Sequence, residues 1–184
     1  LDMIDADGLP DILRDHEDWV CWKRTGGAKV PCDRSGRKID PTDSSKRSSL
    51  KSALKHDPHV SGVGVYLTDD DDLVVIDMDS VDDWREEADR LVDALSDYAY
   101  VDRSPSGEGL HLYMRASRLP EDHRTRWRGF CGGKLELYSR LRFVTVSGDS
   151  VSEGLLIGED ASDLILETLA PLFEASESED SGDG

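Results

Sequence analysis

The sequence is short of the residues that would place it in several broad classes. Its three cysteines, Cys21, Cys32 and Cys131, are too few and too scattered for a disulfide framework, which points to a reducing compartment. No C-x-x-C pair is present. Cys21 and Cys32 can be grouped with His16, His123 or Cys131 on paper, but packed or incidental cysteines are the simpler reading, and no zinc is expected. No apolar run approaches the roughly 18 residues that a membrane span needs. The chain opens Leu-Asp-Met-Ile-Asp-Ala-Asp, acidic where a secretory signal is basic. A cytoplasmic protein with no membrane partner is therefore expected, and the opening Leu fits a fragment of a longer protein. There is no Gly-x-x-x-x-Gly-Lys-Ser/Thr phosphate loop and no internal repeat. The length of 184 residues suits one domain, or two small lobes sharing a core.

Basic residues are the other scarcity. The chain has 22 Lys and Arg against 40 Asp and Glu, a formal net charge of −18. Taken whole, that balance argues against a phosphate-rich partner, whose binding draws on Lys and Arg. The distribution reverses the argument. Residues 23–55 hold ten basic and three acidic residues, and residues 103–142 hold nine and four. These two windows take 19 of the 22 basic residues and leave the rest of the chain with 33 of the 40 acidic ones. The pattern predicts a basic cleft on an acidic body. Runs such as Thr-Asp-Asp-Asp-Asp-Leu, and Arg in excess of Lys, fit a halophilic host. At molar salt the Debye length is about 3 Å, so the acidic body repels DNA only at short range.

Periodicity gives a coarse fold. Trp19–Lys23 reads as a strand, Gly26-Gly27 as a turn, residues 33–48 as a polar loop and 49–56 as a short amphipathic helix. Gly62–Leu67 and Leu73–Met78, separated by aspartates, read as a β-hairpin. The second of these strands is apolar throughout 73–76 and should lie centrally in its sheet. Residues 81–97 have helical spacing of apolar positions. Residues 98–101 and 110–115 read as strands, and 116–133 as a basic loop. A further hairpin-like pair is expected at 134–138 and 141–147, then a closing helix at 160–173. The fold class is α+β, a mostly antiparallel sheet with flanking helices. One domain over 1–173 and an acidic disordered tail over 174–184 are expected.

Three constellations carry chemistry. In Asp77-Met-Asp79 two carboxylates at i and i+2 on a strand share one face. Such a pair repels unless a cation lies between, and hard oxygen ligands favour Mg²⁺ or Mn²⁺. The same pattern also fits a strand end in an aspartate-rich chain. Ser104-Pro-Ser106-Gly107-Glu-Gly109-Leu-His111 is a Gly-rich turn running into a strand. Glycines let backbone N–H groups approach a phosphate, and a histidine just beyond can donate to one; the alternative is an ordinary turn with an exposed His111, and a Gly-rich turn alone is weak evidence. Lys134-Leu-Glu136-Leu-Tyr138 puts a third acid on a strand face, and Arg142 opens the next strand, where it can pair with a phosphate or simply lie on a solvated hairpin.

The order of these parts resembles the archaeo-eukaryotic primase superfamily, and most closely the primase–polymerases of phages and plasmids. The resemblance covers roughly Trp19 to Gly148. It rests on the Trp19-Val-Cys-Trp22 strand, Lys29-Val-Pro31, Gly62-Val-Gly64, Asp77-Met-Asp79, Ser-Pro-Ser-Gly-x-Gly-x-His111 and Glu136-x-Tyr…Arg142-Phe-x-Thr-Val-x-Gly148. It implies an RRM-like catalytic core with a smaller N-terminal αβ lobe. It implies that Asp77, Asp79 and Glu136 are catalytic and hold two Mg²⁺ or Mn²⁺ ions. His111, Ser106, Gly107, Gly109, Arg142 and, more weakly, Lys29 would bind the nucleotide. The implied partners are nucleoside triphosphates and single-stranded or primed DNA, with a helicase and a helical accessory domain in a full-length protein. A halophilic archaeon, its virus or its plasmid is the expected source. The chain departs from the pattern at Gly109, where many members carry serine, and at residues 45–49, where relatives often have tryptophan. Two rival readings use the same residues: a metal-dependent nuclease with Lys134 beside Glu136, and a non-catalytic module that binds replication origins.

Overall fold

The fold is organised around one strand whose two faces are both apolar. In β4 (Leu73–Met78), Val74, Ile76 and Met78 point one way while Leu73 and Val75 point the other. All five are buried, so the strand has to lie inside a sheet covered on both sides. The computed structural model describes residues 4–119, 127–128 and 134–180. In it β4 lies between β6 (Leu110–Arg115) and β8 (Leu135–Tyr138), antiparallel to each. β5 (Tyr100–Arg103) and β10 (Ser150–Glu153) extend this sheet beyond β6, and β7 (Trp127–Arg128) extends it beyond β8, six strands in all.

A second sheet of four strands runs in the order β2 (Ala28–Cys32), β1 (Trp19–Thr25), β3 (Gly62–Leu67), β9 (Arg142–Val146), antiparallel throughout. One face of the six-stranded sheet is covered by α3 (Arg85–Leu95) and α4 (Ser162–Asp180), which contribute Ala88, Leu91, Leu95, Ile165 and Leu169 to that core. The other face packs Val75, Tyr100, Tyr113 and Tyr138 against Val63, Val65, Val144 and Val146 of the four-stranded sheet. The short helices α1 (Asp11–Arg14) and α2 (Leu50–Ala53) add Leu13, Leu50 and Ala53 to that second core.

The α+β class and the central position of β4 are as the sequence implies. The two expected hairpins are not formed. β3 and β4 enter different sheets, as do β8 and β9. The reason is packing. Phe143 and the Val144 carbonyl lie against Gly64, where an added Cβ would fall 2.3 Å from Val144 O. That close approach fixes β9 as the partner of β3, while both edges of β4 are taken by β6 and β8. The N-terminal sheet is thus closed by a strand from late in the chain. The chain passes from one sheet to the other at 68–72 and again at 139–141, where Leu141 takes a left-handed φ of 52°. The loop at 33–48 is held by Asp-x-Ser/Thr turns, in which Asp33, Asp40 and Asp43 accept from Ser35, Thr42 and Ser45. The closing helix runs on to Asp180, into the segment expected as a tail. Most of the basic loop 116–133, with His123 and Cys131, lies outside the described residues. Among the described residues no helix is long and apolar enough to cross a membrane.

Candidate active site

Strand register assembles the site. Asp77 on β4 is the direct cross-strand partner of His111 on β6 and of Glu136 on β8. His111 is in turn paired with Asp102 on β5, and Glu136 with Arg128 on β7. Side chains of direct partners share a face, so Asp102, His111, Asp77 and Glu136 form one polar row across four adjacent strands. Two residues along each strand, on the same face, a second row reads Tyr100, Tyr113, Val75, Tyr138. The polar row therefore lies at the edge of the apolar layer between the sheets.

Asp77 and His111, the middle of the row, line a cleft of about 450 Å³ together with Lys29, Tyr66, Tyr138, Arg142 and Thr145, among others; Asp102, Asp79 and Glu136 are not in its lining. Lys29, on β2, donates to Thr145 Oγ1 at 3.3 Å. Arg142 stacks over the Tyr138 ring, 4.4 Å from its centroid, and donates to the Tyr138 hydroxyl at 3.1 Å. That hydroxyl donates to Glu136. The cleft thus gathers Lys29, Asp77, His111 and Arg142, four of the residues singled out from the sequence. Asp79 lies just past the end of β4 and is exposed; its carbonyl accepts from the Trp84 indole at 2.9 Å.

The turn of Ser106, Gly107 and Gly109 adjoins the Asp79 end. A Cβ on Gly109 would lie 2.5 Å from Met78 O and 3.5 Å from Asp79 Cα, so the glycine is needed for the turn to approach the acid pair. Gly107 has φ 81°, which glycine adopts without strain. The N–H groups expected to face a phosphate are partly used within the turn: Gly109 N donates to Ser104 Oγ, Glu108 N to Ser106 Oγ and Gly107 N to Ser104 O.

Charge at the site is poorly balanced. Burial pushes the Asp77 carboxyl above the ordinary aspartate range; Asp79 and Glu136 push it further, against His111 and Lys29. Burial also lowers Lys29, partly offset by Asp77 and Asp79. Burial alone would lower His111, but Asp102 and Asp77 on either side outweigh it and the net direction is upward. An oxygen-only donor set of three acids, with the half-buried Asp77 beside two like charges, fits a divalent cation.

A different group brings its ligand atoms closer together. His16, Asp18 and Asp71 place one ligand atom each within 4.8 Å of one another, at the opposite end of β4 from Asp77. Of the cysteines, Cys21 and Cys32 face each other across β1 and β2, both buried, and burial and Cys32 push the Cys21 thiol up to about 12.

Two residues of the site are not evident from sequence reasoning, Asp102 and Tyr113. Asp102 is fully buried and its Oδ2 accepts from Ser147 N at 2.8 Å, Ser147 Oγ at 3.0 Å and Gly148 N at 3.3 Å. A signal for both is present. On three strands a tyrosine stands two residues from the polar group, as Tyr100/Asp102, Tyr113/His111 and Tyr138/Glu136.

The chain is similar to known proteins. Over 149 residues the chain is 30% identical to a protein named DNA primase-polymerase from Nitratiruptor phage NrS-1, covering 74% of this chain and 20% of that protein. The chain thus spans about a fifth of the length of that relative. Residues 15–154, including every residue of the polar row, match the family described as bifunctional DNA primase/polymerase, N-terminal, and the chain belongs to that family.

Proposed function

We propose that this chain is the catalytic domain of a template-directed nucleotidyltransferase, a DNA polymerase that also acts as a primase in replication. The observation that carries the reading is the row Asp102, His111, Asp77, Glu136, whose middle members His111 and Asp77 line a cleft that also holds Lys29 and Arg142. A primer 3′-OH attacks the α-phosphate of a bound nucleoside triphosphate in line, and pyrophosphate leaves. Asp77, Asp79 and Glu136 are the residues that would hold Mg²⁺ or Mn²⁺, which when bound stabilises the attacking and leaving oxygens. Arg142 and Lys29 offset triphosphate charge. His111 contacts a phosphate oxygen from the Asp77 side, and the Ser106–Gly109 turn closes on the triphosphate near Asp79. The basic segment 33–55, with 115–128, follows the template backbone without reading bases. In a full-length protein a helicase and a helical accessory domain act with this domain, in a high-salt cytoplasm.

The deciding experiment is primer extension with single-stranded template, all nucleotides and Mg²⁺ or Mn²⁺, with and without primer, at high KCl. The Asp77→Ala/Asp79→Ala variant is expected to be inactive, and full activity in it would sink the assignment. A nuclease would instead degrade the template without nucleotides. Lys134, the lysine that reading calls on, is ion-paired with Asp83. Tight DNA binding with no extension by the unaltered chain would favour an origin-binding module.

A further inference from the structure

A fully buried carboxylate oxygen beside the site has no hydrogen bond. Asp102 is 0% exposed, and while its Oδ2 accepts three bonds from Ser147 and Gly148, its Oδ1 accepts none. A buried acceptor left unbonded costs about 1–3 kcal/mol, so its placement calls for a reason. Oδ1 faces His111 Nδ1 at 3.6 Å, and the two residues are direct cross-strand partners.

A second acceptor faces the same nitrogen. The Tyr113 hydroxyl lies 3.2 Å from His111 Nδ1 and donates its single proton to Thr145 O at 2.7 Å. With that proton committed, the oxygen can only accept from Nδ1. Both groups around Nδ1 thus require a proton on it. The other nitrogen, Nε2, is left facing Asp77 Oδ1 at 3.6 Å on the cleft side. Histidine has no freedom here: it is 3% exposed and its ring meets Tyr113 edge-on at 6.0 Å.

We infer that Asp102 is a positioning residue for nucleotidyl transfer. It holds the His111 ring through its Nδ1–H, with Tyr113 as its helper, and so turns the Nε2 edge to the triphosphate, whose oxygens accept from a protonated Nε2. This rests on the role proposed above for His111. Asp102 also clamps the β9–β10 turn through Ser147 and Gly148, next to Thr145, which lines the cleft. One buried carboxylate thereby ties the imidazole to the strand that forms the opposite wall. Outer partners of this kind are worth about 10–100-fold in activity when removed.

The test has two readouts. Imidazole ¹⁵N NMR of the unaltered chain, without nucleotide or metal, is expected to show His111 protonated at Nδ1. Asp102→Asn cannot serve both sides: its amide must present N–H either to His111 or to the Ser147 and Gly148 N–H groups. It is expected to lower kcat/KM for the nucleotide about 10–100-fold and to abolish the Nδ1–H signal of His111, with affinity for primed template unchanged. A purely structural role would lower template affinity and nucleotide turnover together. Tyr113→Phe keeps Asp102 and is expected to retain the Nδ1 proton, which keeps the idea testable should Asp102→Asn fail to fold. A bare Nδ1 in the unaltered chain, or Asp102→Asn turnover within twofold of it, overturns the inference. Absence of any nucleotide incorporation by the unaltered chain overturns the functional reading instead, and leaves the NMR result to decide the role of Asp102.

Discussion

The two ends of β4 carry similar residues in opposite states. At the start, His16, Asp18 and Asp71 cluster closely, yet each is already engaged by the protein. Asp71 accepts from Thr68 N at 2.8 Å and Thr68 Oγ1 at 3.0 Å, and His16 approaches Tyr66 O at 3.4 Å. Asp18 pairs with Arg47 at 3.1 Å, and Arg47 lies over the Tyr66 ring at 5.0 Å. At the far end, Asp77 is flanked by two further acids and raised by burial, and the cationic groups near it, Lys29 and Arg142, line an open cleft. The lesson is that closeness of ligand-type atoms marks a metal site less well than unbalanced charge does. The first cluster has its charges paired within the protein and reads as a staple between the β3–β4 connection and the segment after α1. The second stays out of balance until something from outside arrives.

The sharpest way to break this contrast is to neutralise one acid at each end. Asp77→Asn is expected to reduce primer extension by roughly 10³-fold or more, about 4 kcal/mol of barrier. Asp71→Asn is expected to leave the rate within about twofold, under 0.5 kcal/mol. Without divalent cations, Asp77→Asn should melt at or above the temperature of the unaltered chain, because a half-buried carboxylate beside two like charges is neutralised. Steady-state extension assays and thermal melts on the same samples check both halves.

The next effect lies at the stapled end and concerns stability. The Arg47 side chain is 10% exposed, so Asp18→Ala strands a nearly buried cation. The loss is expected to be about 2–3 kcal/mol, below the 3–5 of a fully buried pair, which lowers the melting point by roughly 5–10 °C. Extension by the surviving folded protein should be unchanged. An extension defect as large as that of Asp77→Asn would show that the two ends are functionally one.

Cation binding separates the ends directly. Mn²⁺ at about ten times its dissociation constant should stabilise the unaltered chain by about 1.4 kcal/mol, a rise of roughly 3–6 °C. Asp77→Asn/Asp79→Asn should abolish the rise and Asp71→Asn should keep it. The reverse pattern would move the metal centre to His16, Asp18 and Asp71.

How much of this is legible in the sequence depends on how each feature is encoded. Strand alternation is local, so Asp77, Glu136 and His111 are assignable to strand faces from the sequence alone. The apolar run at 73–76 places β4 in the middle of its sheet for the same reason. Pairing is not local. The short links 68–72 and 139–141 read as hairpin turns, whereas the contact of Gly64 with Phe143 and Val144, far apart in sequence, decides the partners. Asp102 is hidden differently. It is one of 40 acidic residues, and only register across β5, β6 and β4 shows that it stands behind His111. An aspartate-rich composition thus conceals the most deeply buried carboxylate of the site.

The smallest effect calibrates what a satisfied carboxylate contributes. Asp160 precedes α4 and accepts from Ser117 Oγ, Ser162 Oγ and the Ser162 and Ser117 N–H groups, which together hold it well below the usual aspartate range. A depressed acid stabilises the fold above its unfolded value, near 3.9, and loses that contribution as pH falls toward its folded value. Asp160→Ala is therefore expected to cost about 1 kcal/mol at neutral pH, as loss of a helix cap does. The difference from the unaltered chain should stay constant from pH 7 to about 5 and shrink below about 4. Melting curves across that range check it. A difference that instead grows in acid would mean that the Asp160 shell is strained like the Asp77 row rather than satisfied like the staple at the other end of β4.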